Sequence, residues 1–358
     1  MSQWIHLRYS LKAGVGFWPL RLHDAIQNRR FANAEQRFLV VRHPSKNPHF
    51  YRVLLRWLER RLPEVRARFE LHTIPYHLRT GSHYVLHVPW LQDPVQRWSP
   101  SAFRQANQLA AECDEHHIPI INRVDRLTNA TKSTGARLIA SVGIRTPKMV
   151  QIDNPRQFRE TRGGLNLPLL VREDWGHGGL VFRVETADEV RKLPLERFSH
   201  PVAVEFVDVK SRHDGLYYKY RYVAAGDLGI AHRLHVGKHW KVKGTGDEYS
   251  PALCDEELAY TRSPDPNHRQ LQAARQALGL DFVAFDYSYD PQGELIVWEA
   301  NPYPHIHFPG PASRRLYRRT ATIRTLAAMV HLYQRRAGLT VPSAIEDLLA
   351  DPSKAHGC

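Results

Sequence analysis

Asp286, Glu299 and Asn301 fall within LDFVAFDYSYDPQGELIVWEANPYP, residues 280–304. Two carboxylates and a carboxamide offer only oxygen donors, which suit Mg²⁺, with Mn²⁺ as a substitute, and not zinc or copper. Mg²⁺ held by a few carboxylates usually carries substrate phosphates in its remaining positions. The runs Val283–Tyr289 and Leu295–Ala300 are rich in β-branched and aromatic residues and read as strands. Between them Asp290-Pro291-Gln292-Gly293 reads as a turn. A hairpin centred there sets Asp286 opposite Val297. Glu299 and Asn301 then share the face of Val297, and Asp286 and Glu299 become diagonal neighbours. A surface hairpin with a polar wet face is the plainer alternative. Phe282, Phe285, Ile296 and Trp298 argue instead for a buried hairpin, where unpaired carboxylates are costly without a cation.

Other residues could serve the same chemistry. The segment 168–174 reads as a strand bearing Arg172, and the turn after it carries Gly176, Gly178 and Gly179. Glycines admit backbone N–H groups close to a phosphate, and Arg172 adds a fixed cation; an ordinary hairpin turn has the same letters. Val204-Glu205-Phe206-Val207 is an apolar strand with one carboxylate. It reads either as a purine clamp, with Glu205 near the base and Phe206 or Val207 giving backbone groups and an apolar wall, or as an edge strand. Arg221 and Arg233 lie on paired long strands. Facing the carboxylates they would neutralise a transferring phosphate; facing out they are surface charge. His232 and His235 point to opposite faces of one strand and do not co-ligate a metal. His305, Arg314 and Arg315 could receive an acidic substrate or decorate a helix start.

These residues must be positioned by a mixed set of elements. Strands are expected at 37–43, 69–74, 83–88 and 118–122, with helices at 49–62 and 101–117, the pattern of a parallel α/β lobe ending near residue 122. A helix is expected at 128–143, capped by Thr128 and stopped by Gly143. Strands follow at 144–152, 168–174, 180–185 and 201–209, with a short helix at 188–193 and a hairpin at 216–243 turning at Gly226-Asp227. Helices are expected at 267–280, 313–338 and 343–351. The division is 1–122, 123–200, 201–340 and a C-terminal helix and tail, 341–358. The helix at 49–62 packs Leu and Trp inward with Arg in solvent; an RNA-facing helix is the alternative.

The chain has 358 residues, a formal charge of +14 and a pI near 9.8, which favours anionic partners such as nucleotides, acidic substrates or nucleic acid. No apolar run reaches the roughly 18–20 residues of a membrane helix, so no membrane partner is expected. Cys113, Cys254 and Cys358 are widely spaced with no CxxC pair, which argues against a disulfide framework and a structural zinc site. A reducing cytoplasm is the expected setting.

Taken in order, NATKSTGARLIASVGIRTP, LPLLVREDWGHGG, VAVEFV, KYRYVAAGDLGIAHR, FDYSYD and VWEANPYP resemble the ATP-grasp superfamily over roughly residues 122–305. Ligases resembling ribosomal-protein glutamate ligase or D-alanine–D-alanine ligase show this order of parts. The resemblance implies an ATP-grasp α/β fold, preceded by an N-terminal parallel α/β lobe. It implies that Asp286, Glu299 and Asn301 hold Mg²⁺, that Lys132 contacts the ATP phosphates and that Glu205 and Val207 meet the adenine. Arg233 would touch the phosphate or acyl intermediate, and the loop around Gly176–Gly179 would close over the phosphates. One departure stands out: the family usually has Lys before the glycine loop, followed by Pro, where this chain has Arg172 and Glu173. The implied activity is an ATP-dependent carboxylate–amine or carboxylate–thiol ligase working through an acylphosphate, on small-molecule or peptide substrates. An ATP-grasp kinase acting on a hydroxyl is the second reading. A basic nucleic-acid-binding protein with a vestigial nucleotide site is the third, and a tRNA-bearing co-substrate would join the first and third. A homodimer is common among such proteins.

Overall fold

The apolar run RFLVVR forms the centre of the first sheet because it is buried on both faces, as a parallel strand must be. In the computed structural model, which describes residues 2–79, 81–175, 180–242 and 247–351, β1 (Arg37–Arg42) lies between β2 (Phe69–Thr73) and β3 (Tyr84–Trp90), all parallel. The helices α2 (Phe50–Arg61), α3 (Pro63–Arg66), α4 (Val95–Trp98) and α5 (Pro100–Glu115) belong to this lobe, and Leu54, Trp57 and Leu58 of α2 are buried in its core as expected. The segment 118–122 is not the strand expected. Ile120 makes one parallel bridge to His87, and the chain then leaves the sheet. Its last residue is drawn elsewhere: the Asn122 amide accepts from the backbone N–H groups of Asp281 and Phe282 and donates to the Phe282 carbonyl.

An unanticipated helix, α1 (Ser2–Phe31), covers the edge of this sheet. Asn28 completes β2 by accepting from Leu71 N–H and donating to its carbonyl, both at 2.8 Å. Asp24 pairs with Arg42 and accepts from Thr73 Oγ1 at 2.8 Å.

The second sheet is antiparallel. It contains β4 (Met149–Gln151), β5 (Leu169–Glu173), β6 (Val181–Val184) and β7 (Pro201–Glu205) in the order β4-β7-β5-β6. Helices α7 (Pro155–Thr161) and α8 (Ala187–Lys192) share its small core, with Phe158, Leu169, Val171, Val184 and Val190 buried together. The strand expected at 201–209 stops at Glu205. The third sheet, also antiparallel, contains β8 (Tyr217–Ala225), β9 (Leu228–Gly237), β10 (Phe282–Tyr289) and β11 (Leu295–Asn301) in the order β11-β10-β8-β9. The helices of this part are α9 (Pro251–Arg262), which sequence reading missed, α10 (His268–Leu278), α11 (Arg318–Arg336) and α12 (Ser343–Ala350). The first and third sheets share one continuous core, in which Tyr333 of α11 meets Phe38 edge-on and Phe69 at a tilt. The second sheet has a core of its own.

The helix α6 (Lys132–Ala140) begins later than the residues 128–143 expected. Val124–Ala130 forms a tighter 3₁₀ stretch, and Thr128 is not the cap. Asp174 caps α6 from the end of β5: its carboxylate accepts from Ser133 N–H at 2.7 Å and from Ser133 Oγ at 2.8 Å. The neighbouring Glu173 pairs with Arg97 at 2.7 Å and accepts from the backbone N–H groups of Ser199 and His200. The acidic pair after Arg172 therefore ties the second sheet to α6 and to the N-terminal lobe. We expect Asp174→Ala to lower unfolding free energy by about 1–2 kcal/mol, the cost of a lost N-cap, seen as a shifted urea midpoint at unchanged slope.

Two histidines give the core a pH dependence. His87 Nδ1 donates to the Leu39 carbonyl at 2.9 Å, and burial pushes the ring down to about 4. Burial does the same to His43. Their ordinary value is 6.5, so between 6.5 and 4 the unfolded chain binds protons that the folded one refuses. Stability is complete above that window and falls as pH drops through it, by roughly 3 kcal/mol for His87. Urea midpoints compared across the window should fall with pH in the parent, and less steeply in His87→Gln.

Candidate active site

Between the second and third sheets lies a cleft of about 250 Å³. One end is apolar, walled by Met149, Leu170, Val204, Phe206, Trp240 and Trp298. The other end carries Arg172, Lys219, Asp286 and Glu299. Glu205 and Val207 also line it, so the expected base-binding segment does face this space. The Glu205 carboxylate accepts from the backbone N–H of Lys148 at 2.9 Å, and its own N–H donates to the Lys148 carbonyl, fixing the end of β7. Phe206 sits edge-on to Trp240, with the Arg183 guanidinium over its ring at 4.3 Å.

The register at the acidic end differs from the expected one. Asp286 lies directly opposite Glu299, not Val297, and Asn301 pairs with Ala284. The cause is a bulge: Tyr287 pairs with Val297, so Trp298 is the extra residue. Its indole N–H donates to Ser288 Oγ at 2.8 Å. Across the remaining strands Asp286 pairs with Arg221, and Arg221 with Arg233. Glu299, Asp286, Arg221 and Arg233 thus form a single row across all four strands, spanning about 15 Å at ordinary strand spacing.

Within this row Asp286 is 4% exposed and accepts from Arg221 Nε at 2.6 Å and Nη2 at 2.9 Å, with Lys219 Nζ at 3.1 Å. Burial alone raises its carboxyl, but Arg221 and Lys219 outweigh burial and hold it well below the usual carboxylate range. Lys219 was not singled out from the sequence. The signal was there, since positions 219 and 221 share a face of an alternating strand.

Lys132 is buried at the start of α6, and its ammonium is pushed down first by burial and then by Arg172, while Glu299, Asp174 and Asp93 oppose the shift. Arg172 is lowered by burial and raised by Glu299 and Asp174. The two cations expected at phosphates are therefore brought to Glu299 together. Arg233 is 6% exposed, and its guanidinium has no hydrogen-bonding or ion-paired partner among the described residues. Burial, Arg318 and Arg221 push it down to about 10, so it stays charged at neutral pH.

The donor set fits a hard divalent cation. Asp286 and Glu299 are directly opposed, their donors are oxygen, and two carboxylates leave coordination positions for phosphate oxygens and water. Asn301 stands two residues beyond Glu299, with its Oδ1 accepting from Tyr303 N–H at 2.9 Å. Among the described residues no group of three or more His, Cys, Asp or Glu side chains is placed to hold a metal. Gly176, Gly178 and Gly179 lie outside the described residues. His232 is held by Thr325 and His235 by Asp247, so they do not share a ligand. Arg315 donates to the carbonyls of Asp247 and Glu248, and Arg314 lies over Tyr249, which gives both structural partners.

No protein-family model matches the chain, and no curated protein matches it in sequence. Solved structures do match. N5-carboxyaminoimidazole synthase from Aspergillus clavatus, in complex with ADP and 5-aminoimidazole ribonucleotide, superposes with a TM-score of 0.54 at 12% identity, over 86% of this chain and 78% of that one. A RimK domain protein ATP-grasp from Sphaerobacter thermophilus superposes with a TM-score of 0.50 at 14% identity, over 82% and 98%. The chain has the ATP-grasp fold. N5-carboxyaminoimidazole ribonucleotide synthetase from Thermotoga maritima, at a TM-score of 0.50 and 11% identity over 86% and 77%, is a further match. The parallel lobe precedes the second and third sheets and the cleft between them.

Proposed function

We propose that this protein is an ATP- and Mg²⁺-dependent ligase that joins a substrate carboxylate to an amine or thiol through an acylphosphate. The observation that carries this reading is the charged row Glu299–Asp286–Arg221–Arg233. Its acidic half suits a metal-bound triphosphate, and its basic half ends in a buried cation whose guanidinium lacks a hydrogen-bonding or ion-paired partner among the described residues. An anion that visits during turnover completes it.

In this reading the base occupies the apolar end, between Leu170 and Val204 on one side and Trp298 on the other. The phosphates run toward Lys132, Arg172 and Lys219. Asp286 and Glu299, with Asn301 alongside, would hold Mg²⁺, which would supply neutralisation of charge on the phosphates. Arg221 keeps Asp286 ionised and aimed. Arg233 holds the acceptor carboxylate, whose oxygen attacks the γ-phosphorus as the bond to ADP breaks. The nucleophile then attacks the acyl carbon of the acylphosphate, Arg233 stabilises the tetrahedral oxyanion, and inorganic phosphate leaves. No side-chain nucleophile takes part.

Phosphate release from ATP and Mg²⁺, measured against pooled amino acids, short peptides and RNA with mass spectrometry of the products, tests the proposal. A condensed product lighter by one water, formed with free phosphate, is the expected result. A phosphorylated acceptor without free phosphate would replace the ligase by a kinase.

A further inference from the structure

The outer face of α1 is unlike the rest of the surface. Leu11, Val15, Trp18, Leu22 and Ile26 are exposed by 63%, 81%, 72%, 64% and 56%. They are five of the nine large hydrophobic residues exposed among the described residues. Spacings of four, three, four and four place them in one stripe along the helix, about 22 Å long. The opposite face is fixed to the protein through Asn28 on β2, Asp24 on Arg42 and Thr73, and Tyr9 against Trp98. The stripe therefore faces away from the body of the protein, and it forms a convex ridge.

The charges beside the stripe are of one sign. Arg8, Lys12, Arg21, Arg29 and Arg30 are all exposed, and the helix has a single acid, Asp24, which is buried against Arg42. A second copy of this chain would bring five more cations against these five, so self-association is electrostatically opposed. An anionic lipid surface supplies what the ridge lacks: an apolar layer for Leu, Val, Ile and Trp and negative headgroups for the flanking cations. Arg21 lies over the rings of Phe17 and Trp18 at 5.2 and 5.9 Å, so an apolar-anchored side chain holds its charge at headgroup level. No helix of the described residues is long and apolar enough to cross a membrane; α1 would lie along the surface.

We propose that α1 docks the protein on anionic membrane surfaces through Leu11, Val15, Trp18, Leu22 and Ile26, with Arg8, Lys12, Arg21, Arg29 and Arg30 pairing with headgroups. The test is cosedimentation of the full chain with vesicles of phosphatidylcholine alone and of phosphatidylcholine mixed with phosphatidylglycerol, at low and high salt, with light scattering of the free protein. Partitioning to the mixed vesicles at least about tenfold above the neutral ones, weakened by salt, is expected. Trp18→Ser/Leu22→Ser should lower it by tenfold or more through lost apolar burial, and Arg29→Glu/Arg30→Glu by a similar factor through lost charge. All these side chains are exposed, so unchanged circular dichroism and melting should accompany the loss. Absence of vesicle binding by the parent, or equal binding to neutral vesicles, overturns the proposal. So does a dimer in free solution that the serine variant dissociates, which would assign the ridge to a second copy.

Discussion

Arg233→Met is expected to be nearly inactive and yet more resistant to heat than the parent. The guanidinium is buried, faces Arg221 across the strand pair and feels Arg318, with no carboxylate bound to it among the described residues. Its desolvation is offset only in part, by the charges of Glu257 and Asp247, and an apolar side chain of similar length removes that cost. Exchanges of this kind stabilise by about 1–4 kcal/mol, which is several degrees of melting temperature for a chain of this size. Turnover should fall by about 10²–10³, the effect of losing one positioned electrostatic donor. Arg221→Met provides the contrast. It leaves Asp286, whose two oxygens are held by Arg221, with Lys219 as its remaining cation, and breaking such a buried pair costs up to about 3–5 kcal/mol. Calorimetry and steady-state assays of both variants therefore read opposite stability changes from two cross-strand neighbours. A destabilised Arg233→Met with intact turnover would remove Arg233 from the acceptor site.

Glu299→Gln should lower the ATP-dependent rate by at least about 10² while leaving the fold in place. The exchange is isosteric, and Glu299 occupies a half-exposed position opposite Asp286, where it faces Lys132 and Arg172. The same variant should lose the thermal shift that ATP produces only with Mg²⁺. It is a cleaner probe than Asp286→Asn, because that change also removes the counter-charge of Arg221 and Lys219. Near-normal turnover by Glu299→Gln would sink the assignment of the acidic half of the row.

Much of this site is local in the chain, and that part was legible. The hairpin of β10 and β11 is encoded by two β-rich runs around Asp290-Pro291-Gln292-Gly293, and it forms where those letters place it. Its register was not legible, because symmetric pairing gives no hint that Trp298 is an added residue whose indole is anchored on Ser288. Arg172, Glu205, Phe206 and Val207 do line the cleft. What the sequence hid is non-local. Asp174 caps a helix that begins 42 residues earlier, and Asn122 turns from its sheet to serve the start of β10. In α1, Gly14, Gly16 and Pro19 interrupt the pattern, and apolar residues on both an inner and an outer face blur the single stripe that marks a surface helix. The helix α9 escaped notice because its acidic run Asp255-Glu256-Glu257 reads as solvated, although Glu257 is buried against Arg318 and Tyr317.

The separate core of the second sheet divides the packing into two bodies that meet across a gap. Polar ties join them, among them Asp174 on Ser133 and Glu173 on Arg97. A nucleotide lying between Val204 and Trp298 would serve as shared interior for both, a wall that neither body can build alone. Occupancy would then set how far the two melt as one, and the smaller body would be the first to loosen whenever the gap empties.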